Sequence, residues 1–411
     1  MKKAYLLLVI LVAFSAAFAV DVTTTGRVLM EMVTENNWSD WTDFDDATGA
    51  GNDKDCYGKG RVDLGFKAMF SENVMARINM RMEGNDDGNK WMYWGKNQIV
   101  PGNELRDAEL CLQEAYIQFK GLFHQPIVWD LGRKTYNYGA KNIVSDADKL
   151  DGWRLAYEAE MFYVNLHYHI LERHPHFMLE DYCVNYTLMG INGGMDNDMM
   201  DINAYFWMLG MPEDNEDKAS MNVFGARGEF TLMEGMVLPF VEIAMQSGTD
   251  EAADMDYSGM LLDLGSGFKM DMGSGKFDAM VEFLMSSGDD ADEQDGTAWY
   301  GVGLSNREEG YLDNDPVANN EMMIKVEAGF TPMAMEAMRV YLDFWMFNDN
   351  SKNYDDISGE NLYNEIELGA EYNWMKNVKI YGAMNYGMPN KDMMGGEDAA
   401  MAFTLGSQVK W

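Results

Sequence analysis

The chain has 411 residues and carries 31 Lys and Arg against 68 Asp and Glu, a formal net charge of −37. Acidity on that scale argues against a nucleic-acid partner and against adhesion to anionic lipid. A hydrophobic fraction of 47% with 13% aromatic residues excludes a disordered acidic chain, and 40 Gly against 8 Pro point to many strands separated by turns.

The first residues read as an address. Lys2 and Lys3 precede an apolar run over residues 4–14 and a small-x-small site, Ala17-Phe18-Ala19, which is the layout of a secretory signal peptide. The run is short for the ~20 residues of a spanning helix. Residues 1–19 are therefore expected to be removed, leaving 20–411 as one β-domain of charge −37 − 2 = −39. No later window offers the ~18 consecutive apolar residues of a membrane helix. Cys56, Cys111 and Cys183 lie far apart without metal-ligand spacing, and in an oxidising compartment one pair could bridge. The 38 methionines form no M-x-x-M ladder with His and read as apolar filler, not as copper ligands.

In chain order, residues 26–33 form the first expected strand, and an acidic loop follows over 34–57. Residues 61–70 place Val62, Leu64, Phe66, Ala68 and Phe70 on one face and Arg61, Asp63, Gly65 and Lys67 on the other. After the turn Ser71-Glu72-Asn73, residues 74–83 answer with Ala76, Ile78, Met80 and Met82 against Arg77, Asn79, Arg81 and Glu83. A period of two means one greasy and one wet face, and here Arg61, Lys67, Arg77 and Arg81 gather on the wet one. Further strands are expected over 114–120, 127–134, 153–157, 162–170, 184–188, 201–209, 222–230, 237–246, 258–268, 276–286, 322–330, 338–347, 364–372, 378–386 and 399–411.

That makes about eighteen strands, with sixteen as the alternative. Long acidic segments follow odd-numbered strands (210–221, 247–257, 287–321, 348–361, 387–397), and most even-numbered strands end in compact turns such as 231–236, 331–337 and 373–377. The last strand sets Trp411, Val409, Leu405, Phe403 and Met401 on one face, with Ser407 the exception, and Lys410, Gln408, Gly406, Thr404 and Ala402 on the other. A closing strand that alternates and ends on an aromatic residue resembles the last strand of bacterial outer-membrane barrels. The expected fold is an all-β transmembrane antiparallel barrel with short periplasmic turns and long extracellular loops, located in the bacterial outer membrane.

Several short motifs sharpen this. Asp130-Leu131-Gly132-Arg133-Lys134, Tyr138-Gly139 and Asp151-Gly152-Trp153-Arg154-Leu155 occur in that order. They are followed by Glu242-Ile243-Ala244-Met245-Gln246, Ser287-Gly288-Asp289 and Leu368-Gly369-Ala370-Glu371. Together they resemble the alginate-export (AlgE-like) family of outer-membrane channels, with Lys134 where Gln is usual. The resemblance implies an eighteen-stranded barrel that works as a channel.

A channel needs a polar lumen whose charges decide what enters. The inward sets hold Arg61, Lys67, Arg77, Arg81, Arg154, Arg227 and Arg339 against Asp63, Glu83, Glu114, Glu229, Glu242, Glu282, Glu327, Asp343, Glu365 and Glu367. In a closed barrel the early basic and late acidic clusters meet across the seam, either filtering solutes by charge or bracing the wall. Ile127, Trp129 and Leu131 face outward, so strict alternation would aim Arg133 at lipid, at ~2–4 kcal/mol near the midplane. A bulge that turns Arg133 inward is the expectation, following the family motif. His167 and His169 share a face and read as lumen polarity more readily than as metal ligands. No Ser-His-acid constellation is identifiable, so no enzyme is expected.

The acidic runs Asp43-Phe44-Asp45-Asp46, Asp86-Asp87, Asp196-Asn197-Asp198 and Asp289-Asp290-Ala291-Asp292-Glu293 lack the EF-hand register. No cofactor is expected beyond loosely bound Ca²⁺ or Mg²⁺ at such loops. The expected function is passive diffusion of small hydrophilic or charged solutes, the alternative a structural or adhesive surface barrel with a loop-plugged lumen. The expected partners are outer-membrane lipid, lipopolysaccharide and the barrel-assembly machinery acting through Trp411, with a monomer favoured.

Overall fold

A computed structural model describes residues 21–36, 54–84, 92–94, 108–138, 149–171, 186–210, 219–250, 255–288, 299, 321–349, 361–390 and 399–411. The expected signal peptide, most of the acidic loops, Cys183, His174 and His176 lie outside the described residues.

Nineteen strands form one antiparallel sheet. They are β1 (Asp21–Asn36), β2 (Lys54–Ser71), β3 (Val74–Gly84), β4 (Met92–Trp94), β5 (Ala108–Lys120), β6 (Ile127–Thr135), β7 (Lys149–Glu158), β8 (Phe162–Leu171), β9 (Tyr186–Asn197) and β10 (Met200–Gly210), continuing with β11 (Ala219–Phe230), β12 (Val237–Asp250), β13 (Met255–Asp271), β14 (Gly275–Ser286), β15 (Glu321–Pro332), β16 (Met338–Asp349), β17 (Asn361–Met375), β18 (Val378–Pro389) and β19 (Ala400–Lys410). Eighteen of them close the wall. Each pairs with the next, β3 pairs directly with β5, and β19 returns to β1 from Arg27↔Lys410 to Asn36↔Met401. The short β4 pairs with β2 along Gly58↔Trp94 to Gly60↔Met92, past the end of β3.

Closure is the condition for crossing lipid as a sheet, because every strand edge must be paired where no water reaches. The seam is finished by two reciprocal bonds, Gly26 N–H to Trp411 O and Trp411 N–H to Gly26 O, each 3.1 Å.

Connection lengths segregate as the sequence suggested. The short turns, such as 72–73, 159–161, 198–199 and 376–377, lie at the end that carries both the start of β1 and the end of β19. That is the periplasmic end in outer-membrane barrels. Two expectations need correction. The anticipated long loop 247–257 shrinks to 251–254, because β12 and β13 keep pairing out to Asp250↔Met255. The anticipated strand 184–188 runs on to Asn197 as β9. Glycines at 190, 193 and 194 hide its alternation, and Gly190 must stay bare because a Cβ would overlap the Trp207 ring. Asp196-Asn197-Asp198 thus lies at the short β9–β10 turn, where Asn197 Oδ1 accepts from the Met199 (2.9 Å) and Met200 (3.2 Å) amides.

The outer face is apolar and rich in thioethers, with Met30, Met32, Met245, Met384 and Met401 exposed beside Leu342, Leu368, Phe403 and Leu405. Cross-strand aromatic pairs stand near the short-turn end: Phe119–Trp129, Tyr157–Phe162 and Phe268–Phe277, with centroids 5.7, 5.8 and 6.4 Å apart. Trp411, half exposed, joins them, which is the expected place for an interfacial girdle.

The inner face has its own repeated device. Tyr341 lies over Gly369, Tyr381 over Gly406, Tyr205 over Gly225, Trp207 over Gly190 and Phe240 over Gly265, each aromatic residue opposite its glycine in register. The bare backbone accepts the ring and fixes the strand pairing. Replacing Gly406 with Val should cost about 1–3 kcal/mol through overpacking against Tyr381. The folded fraction, read as the heat-modifiable band on a gel, should fall, and adding Tyr381→Ala should recover part of it.

Candidate solute pathway

Of the predicted lumen residues, Arg61, Lys67, Arg77, Arg81, Arg154, Arg227, Glu242, Glu282, Arg339 and Asp343 occupy inward register positions. They do not form a free cationic wall. Asp63, barely exposed, accepts from Arg27 (2.6 Å), Arg61 (3.4 Å) and Arg81 (2.7 Å) at once. Arg77 pairs with Glu114 at 3.0 Å, while Lys67 stands exposed opposite Arg77. A second hub is Asp130, 1% exposed, which holds Lys134 at 2.6 Å and Arg154 at 3.0 Å and accepts from Gln118 at 2.7 Å. A third centres on Arg227, bonded to Glu229 (2.8 Å), Glu242 (3.2 Å) and Asp263 (3.1 Å), with the Tyr205 hydroxyl donating to Glu242 at 2.6 Å.

These networks follow from register. Gln118, Asp130, Arg154 and His167 are successive partners across β5 to β8, and Arg227, Glu242 and Asp263 across β11 to β13. Opposite charges on one face, one strand apart, meet without any special loop. The seam carries such a rung as well. Arg339, Glu371, Tyr381, Gly406, Glu31 and Lys59 are consecutive partners. Tyr381 reaches over Gly406 to donate to Glu31, which also pairs with Lys59 at 3.3 Å. Basic and acidic strands do meet there, as braces. Asp130, Glu31, Lys59 and Asp278 (paired with Arg339 at 2.6 Å) were not named as lumen residues from sequence, although strict alternation applied to β1, β2, β6 and β14 places them inward.

One rung is unbalanced. Glu327, Asp343 and Glu367 face each other across β15, β16 and β17. Lys325 bridges Glu327 at 2.9 Å, but among the described residues no cation lies within ion-pair distance of Asp343. Like charges directly opposite are destabilising, and in a pore such a row attracts cations.

Arg133 corrects an expectation. No bulge turns it inward: Asp130 and Lys134 keep the inner positions and bond to each other, so Arg133 stays outward with Leu131. It lies opposite Asp151 on the same outer face and binds it through two bonds of 2.9 and 2.5 Å. Pairing makes the outward charge tolerable near the interface, where the cost of a lipid-facing Arg falls toward about 0–1 kcal/mol.

Toward the long-loop end the inner face carries a buried apolar cluster, interleaved with the buried polar residues Gln246, Ser286 and Glu321. Leu209, Met221, Leu261, Leu284, Met323 and Phe347 are fully buried in one cluster with Trp299, from the connection after β14. The Trp299 N–H donates to the Ser287 carbonyl at 2.7 Å. Nothing in the alternation of the strands signals this covering. Toward the short-turn end the lumen opens into a polar cavity of about 610 Å³ between β6 and β11. His167 and His169 stand above it, their rings joined at 3.3 Å (Nδ1–Nε2), with His167 also bonded to Tyr138 and Asn192 at 3.0 Å. Among the described residues no group of three His, Cys, Asp or Glu is placed to hold a metal.

Comparison with solved structures finds the same fold in outer-membrane proteins. The chain is similar to the outer membrane protein OprD from Pseudomonas aeruginosa, at 9% identity and a TM-score of 0.56, covering 95% of this chain and 94% of that one. It is similar to Pseudomonas aeruginosa OpdQ at 12% identity and TM-score 0.56 over 95% and 99% of the two chains. Pseudomonas aeruginosa OccK7 (OpdD) matches at 9% and 0.54 over 95% and 99%. No protein-family model matches, and no curated protein does. The fold is that of these outer-membrane barrels.

These OprD and Occ neighbours lend the alginate-export resemblance no support. The structure gives its motifs a simpler reason. Residues 130–134 and 151–155 are paired strands whose Asp130–Arg154 and Arg133–Asp151 contacts clamp one hairpin from inside and outside.

Changing Glu327, Asp343 and Glu367 together to Gln should move the reversal potential in a salt gradient toward anion preference, and Arg61, Arg77 and Arg81 to Gln toward cations. Arg133→Leu alone should lower the folding yield in lipid vesicles by stranding Asp151, and adding Asp151→Leu should restore it, because an ion pair is replaceable by apolar groups where its single members are not.

Proposed function

We propose that this protein is a passive outer-membrane channel for small hydrophilic or charged solutes, with selectivity set by the charged rungs of its inner wall. The observation that carries the reading is a closed wall with an apolar outside and a charged, laddered inside. Surface barrels that serve only as anchors have no need of inward hubs such as Asp63 and Asp130. Most inner charges are engaged with one another, which suits bracing and filtering.

The selectivity residues we assign are Arg61, Lys67, Arg77, Arg81, Arg154, Arg227, Glu242, Glu282, Arg339 and Asp343, with Arg133 removed from the pathway. Lipid and lipopolysaccharide would surround the methionine-rich outer face, and Trp411 at the seam suits recognition by barrel-assembly machinery. Loosely held Ca²⁺ or Mg²⁺ at the acidic loops and a monomeric state complete the proposal.

The apolar cluster at the long-loop end marks the constriction. Purified protein in planar bilayers should show stepwise conductance, and Trp299→Ala should enlarge the steps. A silent bilayer in both would overturn the channel reading in favour of an occluded surface barrel.

A further inference from the structure

The polar cavity at the periplasmic mouth is built in layers. Its outer rung is Asp196, Asp201 and Glu229, cross-strand partners on β9, β10 and β11. The next is Tyr163, Gly194, Asn203 and Arg227, and the innermost holds Asn165 and Asn192, again partners in register.

The two arginines in this lining are already committed, Arg154 to Asp130 and Glu158, Arg227 to Glu229, Glu242 and Asp263. Asp196 and Asp201 are not: among the described residues neither has a cation within ion-pair distance, although they face each other directly. Like charges so placed oppose folding, which leaves a net negative mouth able to accept a positive group.

The inner rung supplies an independent sign. Asn165 and Asn192 are 4% and 1% exposed and both line the cavity. Asn192 Oδ1 is taken by His167 Nε2 at 3.0 Å. Among the described residues, Asn192 Nδ2 and Asn165 Oδ1 make no hydrogen bond. A buried donor and a buried acceptor side by side, both unsatisfied, are costly unless a ligand pairs them. One hydroxyl, which donates and accepts, satisfies both.

In the middle rung the Tyr163 phenol stands over Gly194, and its hydroxyl is held by Asn203 at 2.6 Å. The apolar C–H face of a sugar ring fits against such a phenol. Asn192 and Asp196 are four residues apart, about 13 Å at 3.3 Å per strand residue, which is the length of two sugar rings.

We propose that this cavity is a binding subsite for a hydroxylated organic cation of disaccharide size, an amino sugar, with its ammonium at Asp196 and Asp201 and a hydroxyl at Asn165 and Asn192. The subsite deepens the channel reading by assigning a solute class to one mouth of the lumen.

Calorimetric titration of the detergent-solubilised full chain tests it without requiring conduction, so loss of binding and loss of conductance are read separately. Three probes of disaccharide size differ in charge: chitobiose (a diamine), N,N′-diacetylchitobiose (neutral) and cellobionate (an anion). Chitobiose should bind at least about tenfold more tightly than the other two, the scale of one partly desolvated charge contact. Asp196→Asn with Asp201→Asn, which also relieves the repulsion and so keeps the fold, should abolish that preference. Asn165→Ala should weaken both hydroxylated chitobiose forms. Equal affinity for the diamine and its acetylated form, no binding of any probe, or undiminished preference in the double Asn variant would overturn the proposal.

Discussion

Everything in this molecule depends on a hydrogen-bonded ring with no open edge. In a bilayer each unpaired backbone group costs several kcal/mol, and a sheet avoids that only by meeting itself. Once β19 lies on β1, the side-chain period of two does the rest: alternate residues must face lipid and lumen. The apolar outside and the charged inside are two readings of one alternation. Register then decides which charges meet, since inward partners on adjacent strands stand about 5 Å apart. The hubs at Asp63, Asp130 and Arg227 are products of register as much as of composition.

The interior is divided along its axis. Near the short turns it is polar, layered and open, with ion pairs that brace the wall and a few carboxylates left over. Near the long loops it holds an apolar cluster, with Trp299 packed among buried leucines, methionines and aromatics. The polar lining at one end and the buried apolar cluster at the other are held by different residues, so one can change without the other.

The hairpin of β2 and β3 was legible because its alternation is unbroken over both arms and its turn residues are polar. The closing strand was legible for the same reason, Ser407 included: it does face outward and is exposed, paired with Met30 and Ile380. β9 was not, because its glycines accommodate the neighbouring rings and carry no side-chain pattern of their own. Arg133 was misplaced by preferring a motif over alternation; the alternation held, and Asp151 supplied the missing partner. The roles of Asp130 and Glu31 needed knowledge of register, which a periodic pattern alone does not contain. The place of Trp299 depends on how a connection folds back, and no strand pattern records that.

The seam has a consequence for how the molecule comes into being. Gly26 and Trp411, bonded across it, are 411 − 26 = 385 residues apart in the chain, and Tyr381 and Glu31 are 350 apart, so the seam closes the largest loop among the described residues. Local hairpins such as β2–β3 can form early and cheaply, whereas contacts of high sequence separation come late and slowly. Until β19 arrives, β1 and the growing sheet each present a sticky border able to recruit another copy. The Gly26–Trp411 bonds are therefore a finishing clasp. A chaperone that shields both borders would need to hold the nascent sheet until that clasp engages.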